Sequence, residues 1–468
     1  MVFVGRKQEL ALLEKHHRAQ GGAFVPIYGR RRIGKSELIL RFIEHHPGLY
    51  HVGKQAPAVL QIREFLAEAA KMMAEPLLAA LPATDWRSAI EHVEQRWKSS
   101  KKLVLAFDEF QWTAEASPEL PSVLQELWDR KWKRSGKVML ILCGSFIGFM
   151  EREVLGSKSP LFGRRTAQIQ LQPFDFAQSC LLHKGWSLQQ QAETFFVLGG
   201  VAQYLNTFQT DASLQQNVEA QLLHEFAPLF REPEFLLREE LRDVQSYHAV
   251  LLAIASGAGA TKDIAARAGL PERSLHYYLE QLVQLGYVAR RMPLTGARPS
   301  RWHVRFSLED PLLRFYFRFV FPRRSFVQRY GAKRSWRELV APELDSYFGG
   351  CFERLCRQAL PALWESEGIS ASGEVGEYWD KGVQIDLVGV RDDDWIDLGE
   401  CKWGTAASPA SLSAELEAKA TGYPNPKKRT IGKRLFFRQK PARFKIDGVK
   451  VHDLEDLHAA IAQERPSS

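Results

Sequence analysis

The segment Gly29-Arg30-Arg31-Arg32-Ile33-Gly34-Lys35-Ser36 constrains this chain more than any other feature, because it fits the spacing G-x-x-x-x-G-K-[ST]. That spacing has physical meaning only where a strand hands over to a helix. The apolar run Ala23–Tyr28 ends at the first glycine, and Glu37–His45 reads as a helix on the other side. There the glycines let the backbone wrap phosphate groups, and amides at the helix N-terminus meet their charge. Gly29 and Gly34 would shape the loop, Lys35 would reach the β- and γ-phosphates, and Ser36 would ligate Mg²⁺. Three more apolar runs, Lys102–Phe107, Lys137–Cys143 and Ala167–Leu171, are separated by helical stretches. Apolar strands alternating with helices imply a parallel sheet covered on both faces.

Groups at the strand ends complete the expected site. Asp108 would hold the Mg²⁺ shell, and Glu109 would orient or deprotonate the attacking water. Ser145, after the third run, would bond a γ-phosphate or that water; a plain turn serine is the competing reading. Arg164 or Arg165 would project into a neighbouring subunit's nucleotide and stabilise charge in the transition state, a surface arginine being the alternative. Phe3-Val4-Gly5-Arg6 is a candidate lining for the adenine.

A length of 468 residues admits several domains. The formal charge of +8 favours a polyanionic partner. The five cysteines have no C-x-x-C spacing, and their odd number argues against a disulfide framework; reduced, buried thiols in a cytoplasmic protein are expected. No run of about 18 apolar residues is present, so no membrane span is expected. The expected division is residues 1–172 as nucleotide-binding core, 173–245 as helical lid, 246–325 as winged helix-turn-helix with a following aromatic helix, 326–338 as basic linker, and 339–468 as a separate α/β domain.

Within 249–288 the pattern gives three short helices, with Leu275, Leu279, Leu282 and Leu285 at core spacing. Arg273, His276, Tyr277 and Gln281 fall on the outer side. Arg290, Arg291, Arg298 and Arg301 in the following wing suit contact with DNA phosphates. A packing or protein-contact role is the alternative for such a module.

Near the far end, Asp386 is followed by Glu400-Cys401-Lys402, a D…E-x-K spacing. On a strand, Glu400 and Lys402 share a face while Cys401 turns away. If the two strands pair antiparallel, Asp386 and Glu400 meet. Two close carboxylates call for a cation, and Mg²⁺ suits such oxygen ligands. It would polarise a phosphate and activate water, with Lys402 orienting the nucleophile or stabilising developing charge.

The first 205 or so residues, through FVGR, GRRRIGKS, LAFDEFQW, LILCGS, SPLFGRR and LGGVAQYL, resemble the archaeal-type branch of the AAA+ and STAND-like ATPases. That resemblance implies an ATPase core with a helical lid, and a homo-oligomer. Residues 339–457, through GGCFERL, YWDKGVQIDLV and GECKW, look like the PD-(D/E)XK nuclease-like domain appended to such ATPases. By it, Glu353 joins Asp386, Glu400 and Lys402 as the acidic and basic set. The expected protein therefore binds and hydrolyses ATP with Mg²⁺, binds nucleic acid, DNA by preference, and cuts phosphodiesters. A nucleotide-gated DNA-binding regulator, or a protein-interaction switch with a non-cutting nuclease-like domain, is the rival expectation.

Overall fold

The computed structural model describes residues 3–295, 304–380, 382–404, 408–441 and 447–463. The chain divides into two compact units, Met1–Pro173 and Phe174–Ser467.

The first unit is built on five strands: β1 (Ala23–Tyr28), β2 (Gly48–Val52), β3 (Leu103–Asp108), β4 (Val138–Gly144) and β5 (Ile169–Gln170). All neighbours pair parallel, in the order β2-β3-β4-β1-β5. Every residue of β1, β3 and β4 is buried, which explains why these strands are continuous apolar runs rather than alternating ones. The glycine loop leaves the carboxyl end of β1 and opens the helix Lys35–Ile43. β2 was hidden from the sequence reading: its GLYHV alternates half-buried and buried residues, and no run of apolar side chains announces it. Beneath β3, the rings of Phe65, Trp86 and Phe107 lie 5.4–5.7 Å apart and hold the strand that ends at Asp108.

The second unit begins with short helices, several opened by Ser or Asp capping boxes at Asp175, Ser187 and Ser213. Helices Val244–Ala255, Thr261–Ala268 and Glu272–Gln284 follow, then an antiparallel hairpin of β6 (Val288–Arg291) and β7 (Arg305–Leu308). Gly269, at φ 65°, makes the turn between the second and third of these helices. Leu275, Leu279 and Leu282 are buried as the spacing requires, and Leu285 is half-buried. Arg298 and Arg301 lie outside the described residues.

The expected linker at 326–338 is largely helical, Arg324–Ser335 kinked at Gly331 (φ 77°) and followed by a further turn, Trp336–Val340. Its arginines are engaged by near and distant partners. Arg324 bonds Glu234, Arg334 reaches Glu338 at 2.8 Å and stacks over Tyr330, and Tyr330 meets Phe326. A charge run reads as a linker by composition, yet i,i+4 pairs and ring contacts suffice to support a helix.

The last part is a five-stranded sheet in the order β12-β11-β10-β9-β8. Its strands are β8 (Gly373–Trp379), β9 (Gln384–Arg391), β10 (Trp395–Lys402), β11 (Thr430–Phe437) and β12 (Val449–His452). β8, β9 and β10 pair antiparallel; β10, β11 and β12 pair parallel. The 23-residue helix Leu344–Ser366 packs against β8, β9 and β10, and the helix Pro409–Gly422 against β9, β10 and β11. Buried Arg434 bonds Asp397 at 2.8 Å and Glu367 at 2.6 Å, and Trp364 also donates to Asp397, so these three charges satisfy one another. All five cysteines are buried and free. No described helix is long and apolar enough to cross a membrane.

Candidate nucleotide and carboxylate sites

Strand register places the parts of the first site. Tyr28 pairs with Gly144, so the loop that follows β1 runs beside Ser145, which follows β4. Phe107 pairs with Leu142, which brings Asp108 to the same edge. Gly29 has φ 149°, and an added Cβ would lie 2.3 Å from the Leu171 carbonyl oxygen; only glycine fits there. Gly34 opens the helix at φ 93°.

Lys35 is buried and folds over the loop, donating to the carbonyls of Gly29 (3.0 Å) and Arg30 (2.7 Å). Burial pulls its ammonium below the ordinary lysine range, and the nearby Cys143, Glu109 and Asp108 act against that. The Ser36 hydroxyl donates to Asp108 Oδ2 at 2.5 Å. The backbone N–H of Glu109 donates to Asp108 Oδ1 at 2.9 Å. Ser145 donates to Glu109 at 2.7 Å, and Gln111 donates to the same carboxylate. The structure thus gathers Ser36, Asp108, Glu109 and Ser145 with Lys35 around one loop. Ser145 meets the carboxylate of Glu109, where sequence reading had aimed it at phosphate or water.

Tyr50 was missed, and Arg6 was expected to line the adenine. The Tyr50 hydroxyl donates to Asp108 Oδ2 at 2.5 Å, and burial with the Asp108 charge raises the phenol above its usual range. Its strand, β2, carried no readable signal. Arg6 is buried and donates to the carbonyls of Ile33 (3.0 Å) and Gln172 (2.8 Å). It braces the glycine loop from behind.

Arg164, expected to reach a neighbouring subunit's nucleotide, has its partners within its own unit. Its guanidinium grips Asp129 through Nε and Nη2 (3.0 and 2.7 Å) and donates to the carbonyls of Pro160 and Phe162. Arg165 is exposed.

In the helix-turn-helix, Arg273, His276 and Tyr277 are exposed, with Tyr277 62% exposed on the outer face. Arg290 is exposed too, but Arg291 is half-buried and paired with Glu309 at 2.7 Å.

At the far end, β9 and β10 pair with Gly399 opposite Leu387; one residue further along this register, Glu400 faces Asp386. The Cys401 N–H donates to Asp386 Oδ2 at 3.1 Å. Glu400 is 1% exposed, its Oε2 is 2.9 Å from Lys419 Nζ, and its Oε1 has no hydrogen-bond partner. Glu353 projects from the helix Leu344–Ser366, 3.9 Å from Arg357. Burial and then the Asp386 charge push both Glu353 and Glu400 up to about 7. Burial raises Asp386 as well, opposed by the Cys401 N–H and by Lys419 and Lys402. Lys402 is half-buried, on the same strand face as Glu400.

These side chains form a mutually repelling carboxylate group, but not a ready cage. Among the described residues, no three His, Cys, Asp or Glu side chains are gathered to hold a metal ion. Lys419, on the helix Pro409–Gly422, occupies one side of Glu400 and supplies the compensating charge. Sequence reading missed Lys419, Arg357 and Glu377. Glu377 sits on the unforeseen β8, and Lys419 looked like an ordinary helix-surface lysine.

A glycine loop closing a parallel sheet, with Lys35, Ser36 and Asp108 about it, defines the first unit as a P-loop ATPase, and a helix-turn-helix module stands in the second. Residues 3–195 match the family described as an ATPase domain predominantly from Archaea, 248–291 the IclR helix-turn-helix domain, and 316–415 a group of archaeal and bacterial proteins of unknown function. An uncharacterized protein of Methanocaldococcus jannaschii is 27% identical over 408 residues, covering 86% of this chain and 88% of that protein. An uncharacterized ATP-binding protein of the same organism is 42% identical over 45 residues, 10% of this chain and 76% of its own length. The Walker-type ATPase of Pyrococcus abyssi is similar in structure at 19% identity and a TM-score of 0.49, covering 68% of this chain and 96% of that one.

Proposed function

We propose that this ATPase binds DNA through its helix-turn-helix and cleaves phosphodiester bonds, with a divalent cation, at the Asp386–Glu400 group. The observation that carries the cutting half is the buried, unpartnered Oε1 of Glu400 opposite Asp386. A buried charged oxygen without a donor is costly, and a cation would satisfy it. Mg²⁺ is commonly held by one or two carboxylates and water, so a full protein cage is not required. Asp386 and Glu400 would hold the ion, which would supply Lewis acidity and activate water. Lys402 would steady the developing charge, and Glu353, held near neutral pH, suits proton transfer.

In the first unit, Lys35 and the loop amides would hold the ATP phosphates, with Ser36 and Asp108 as the Mg²⁺ partners. Glu109, positioned by Ser145 and Gln111, would orient the attacking water. Exposed Arg273, His276, Tyr277 and Arg290 would face DNA.

The test is a cleavage assay on single- and double-stranded DNA with Mg²⁺, with and without ATP. Wild type should cut, while Asp386→Ala and Lys402→Ala should not. Equal degradation by wild type and Asp386→Ala removes the nuclease reading and leaves a nucleotide-driven DNA binder.

A further inference from the structure

Between the β6–β7 hairpin and the sheet of β8–β12 lies a cleft of about 370 Å³. Six arginines line it: Arg291 and Arg305 from the hairpin, Arg314 and Arg318 from the segment after it, and Arg354 and Arg357 from the helix Leu344–Ser366. Their partners inside the protein fall short of their charge. Glu309 is shared by Arg291 (2.7 Å) and Arg354 (2.9 Å). Arg314 spends its donors on the Glu309 carbonyl and the Cys351 sulfur, both neutral. Arg305 lies over the Trp379 ring at 4.7 Å. Arg318 bonds Glu343, which is 56% exposed. Arg357 is only 8% exposed and shares the half-buried Glu353 and Glu377 at 3.9 and 3.7 Å.

The Nε atoms of Arg291, Arg314 and Arg357 are buried without a hydrogen-bond partner. Crowding shows in Arg354, which burial and the neighbouring Arg314 lower to about 10. Folded proteins rarely leave so many guanidinium donors unspent, since each buried unpaired group costs stability. A planar fork of N–H donors matches the oxygens of a phosphate.

We propose that this cleft is a phosphate-binding pocket, and that the phosphate belongs to a nucleic-acid strand passing toward Asp386 and Glu400. Arg357 ties the two places together. It lines the cleft, and its Nη1 also donates to the Asp386 carbonyl. The strand's destination rests on the nuclease reading; the phosphate pocket does not.

The experiment is fluorescence anisotropy of a labelled single-stranded oligonucleotide in EDTA, so that nothing is cut, across a range of salt. Arg305→Ala and Arg318→Ala should each weaken binding about tenfold and lower the salt slope by about 0.7, as loss of one phosphate contact on a single strand does. Arg305→Lys should restore part of the affinity, and Lys131→Ala, in the other unit, should change nothing. Melting curves of each variant verify the fold. Inorganic phosphate and AMP are the competing arms. If AMP binds in an Arg305-dependent way while the oligonucleotide ignores both arginines, the pocket serves a free nucleotide and the strand proposal falls. If neither ligand senses these arginines, the pocket itself falls, even where Asp386-dependent cutting persists. If no cutting occurs but strand binding depends on Arg305 and Arg318, the pocket stands and the nuclease reading fails alone.

Discussion

Replacing Glu400 with Gln should stabilise the second unit at alkaline pH and leave it unchanged in acid. Glu400 is 1% exposed and its carboxyl is raised from an ordinary 4.5 to about 7 by burial and by Asp386. A folded-state value above the unfolded one means that folding takes up a proton. The resulting stability is fully present below pH 4.5 and is lost as pH rises through 7. At about 1.4 kcal/mol per unit the full cost of ionisation is roughly 3 kcal/mol, and sharing with Asp386 and Glu353 lowers what one substitution recovers to about 2 kcal/mol. Gln keeps the shape without the charge, and Lys419 retains Glu415 at 2.8 Å. For a unit of this size about 2 kcal/mol is roughly 5 °C in Tm. Calorimetry at pH 4 and pH 8 in EDTA reads it: Glu400→Gln should melt about 5 °C higher than wild type at pH 8 and match it at pH 4. A variant equally destabilised at both pH values would refute the claim that Glu400 is held at a cost.

Other expectations follow the same logic. Lys35→Ala should abolish ATP hydrolysis, measured by phosphate release, while leaving DNA cleavage without ATP intact. Tyr50→Phe removes a donor to Asp108 and should reduce turnover severalfold with little change in Tm; unchanged kinetics would mean that Tyr50 does not position Asp108. Arg164→Ala should cost less than about 1 kcal/mol, since Asp129 is 44% exposed, and should spare hydrolysis per subunit; loss of all activity would restore the subunit-spanning role. Gly200→Ala should cost more than about 3 kcal/mol, because its Cβ would sit 1.7 Å from the Phe174 carbonyl oxygen.

What could be read from the sequence followed from how each signal arises. The Gly29–Ser36 loop was legible because its spacing is local, and β1, β3 and β4 because full burial makes them continuous apolar runs. The facing of Asp386 and Glu400 followed from strand alternation once antiparallel pairing was assumed. β2 and β8 escaped because half-buried strands bear mixed residues. The helix Arg324–Ser335 escaped because its support is ion pairs and ring contacts rather than an apolar stripe. Long-range partners such as Tyr50 for Asp108, Asp129 for Arg164 and Lys419 for Glu400 are set by tertiary packing alone. No spacing rule could have named them.

The central claim is met most directly by titrating Mg²⁺ calorimetrically into the Lys35→Ala protein without nucleotide, which isolates the carboxylate group from the loop. One binding event is expected at pH 8, weakening toward pH 6 with proton release, because Glu400 must ionise before it can bind a cation. Asp386→Asn should abolish it. Absence of binding, or binding indifferent to Asp386, would contradict a cation site at the Asp386–Glu400 pair.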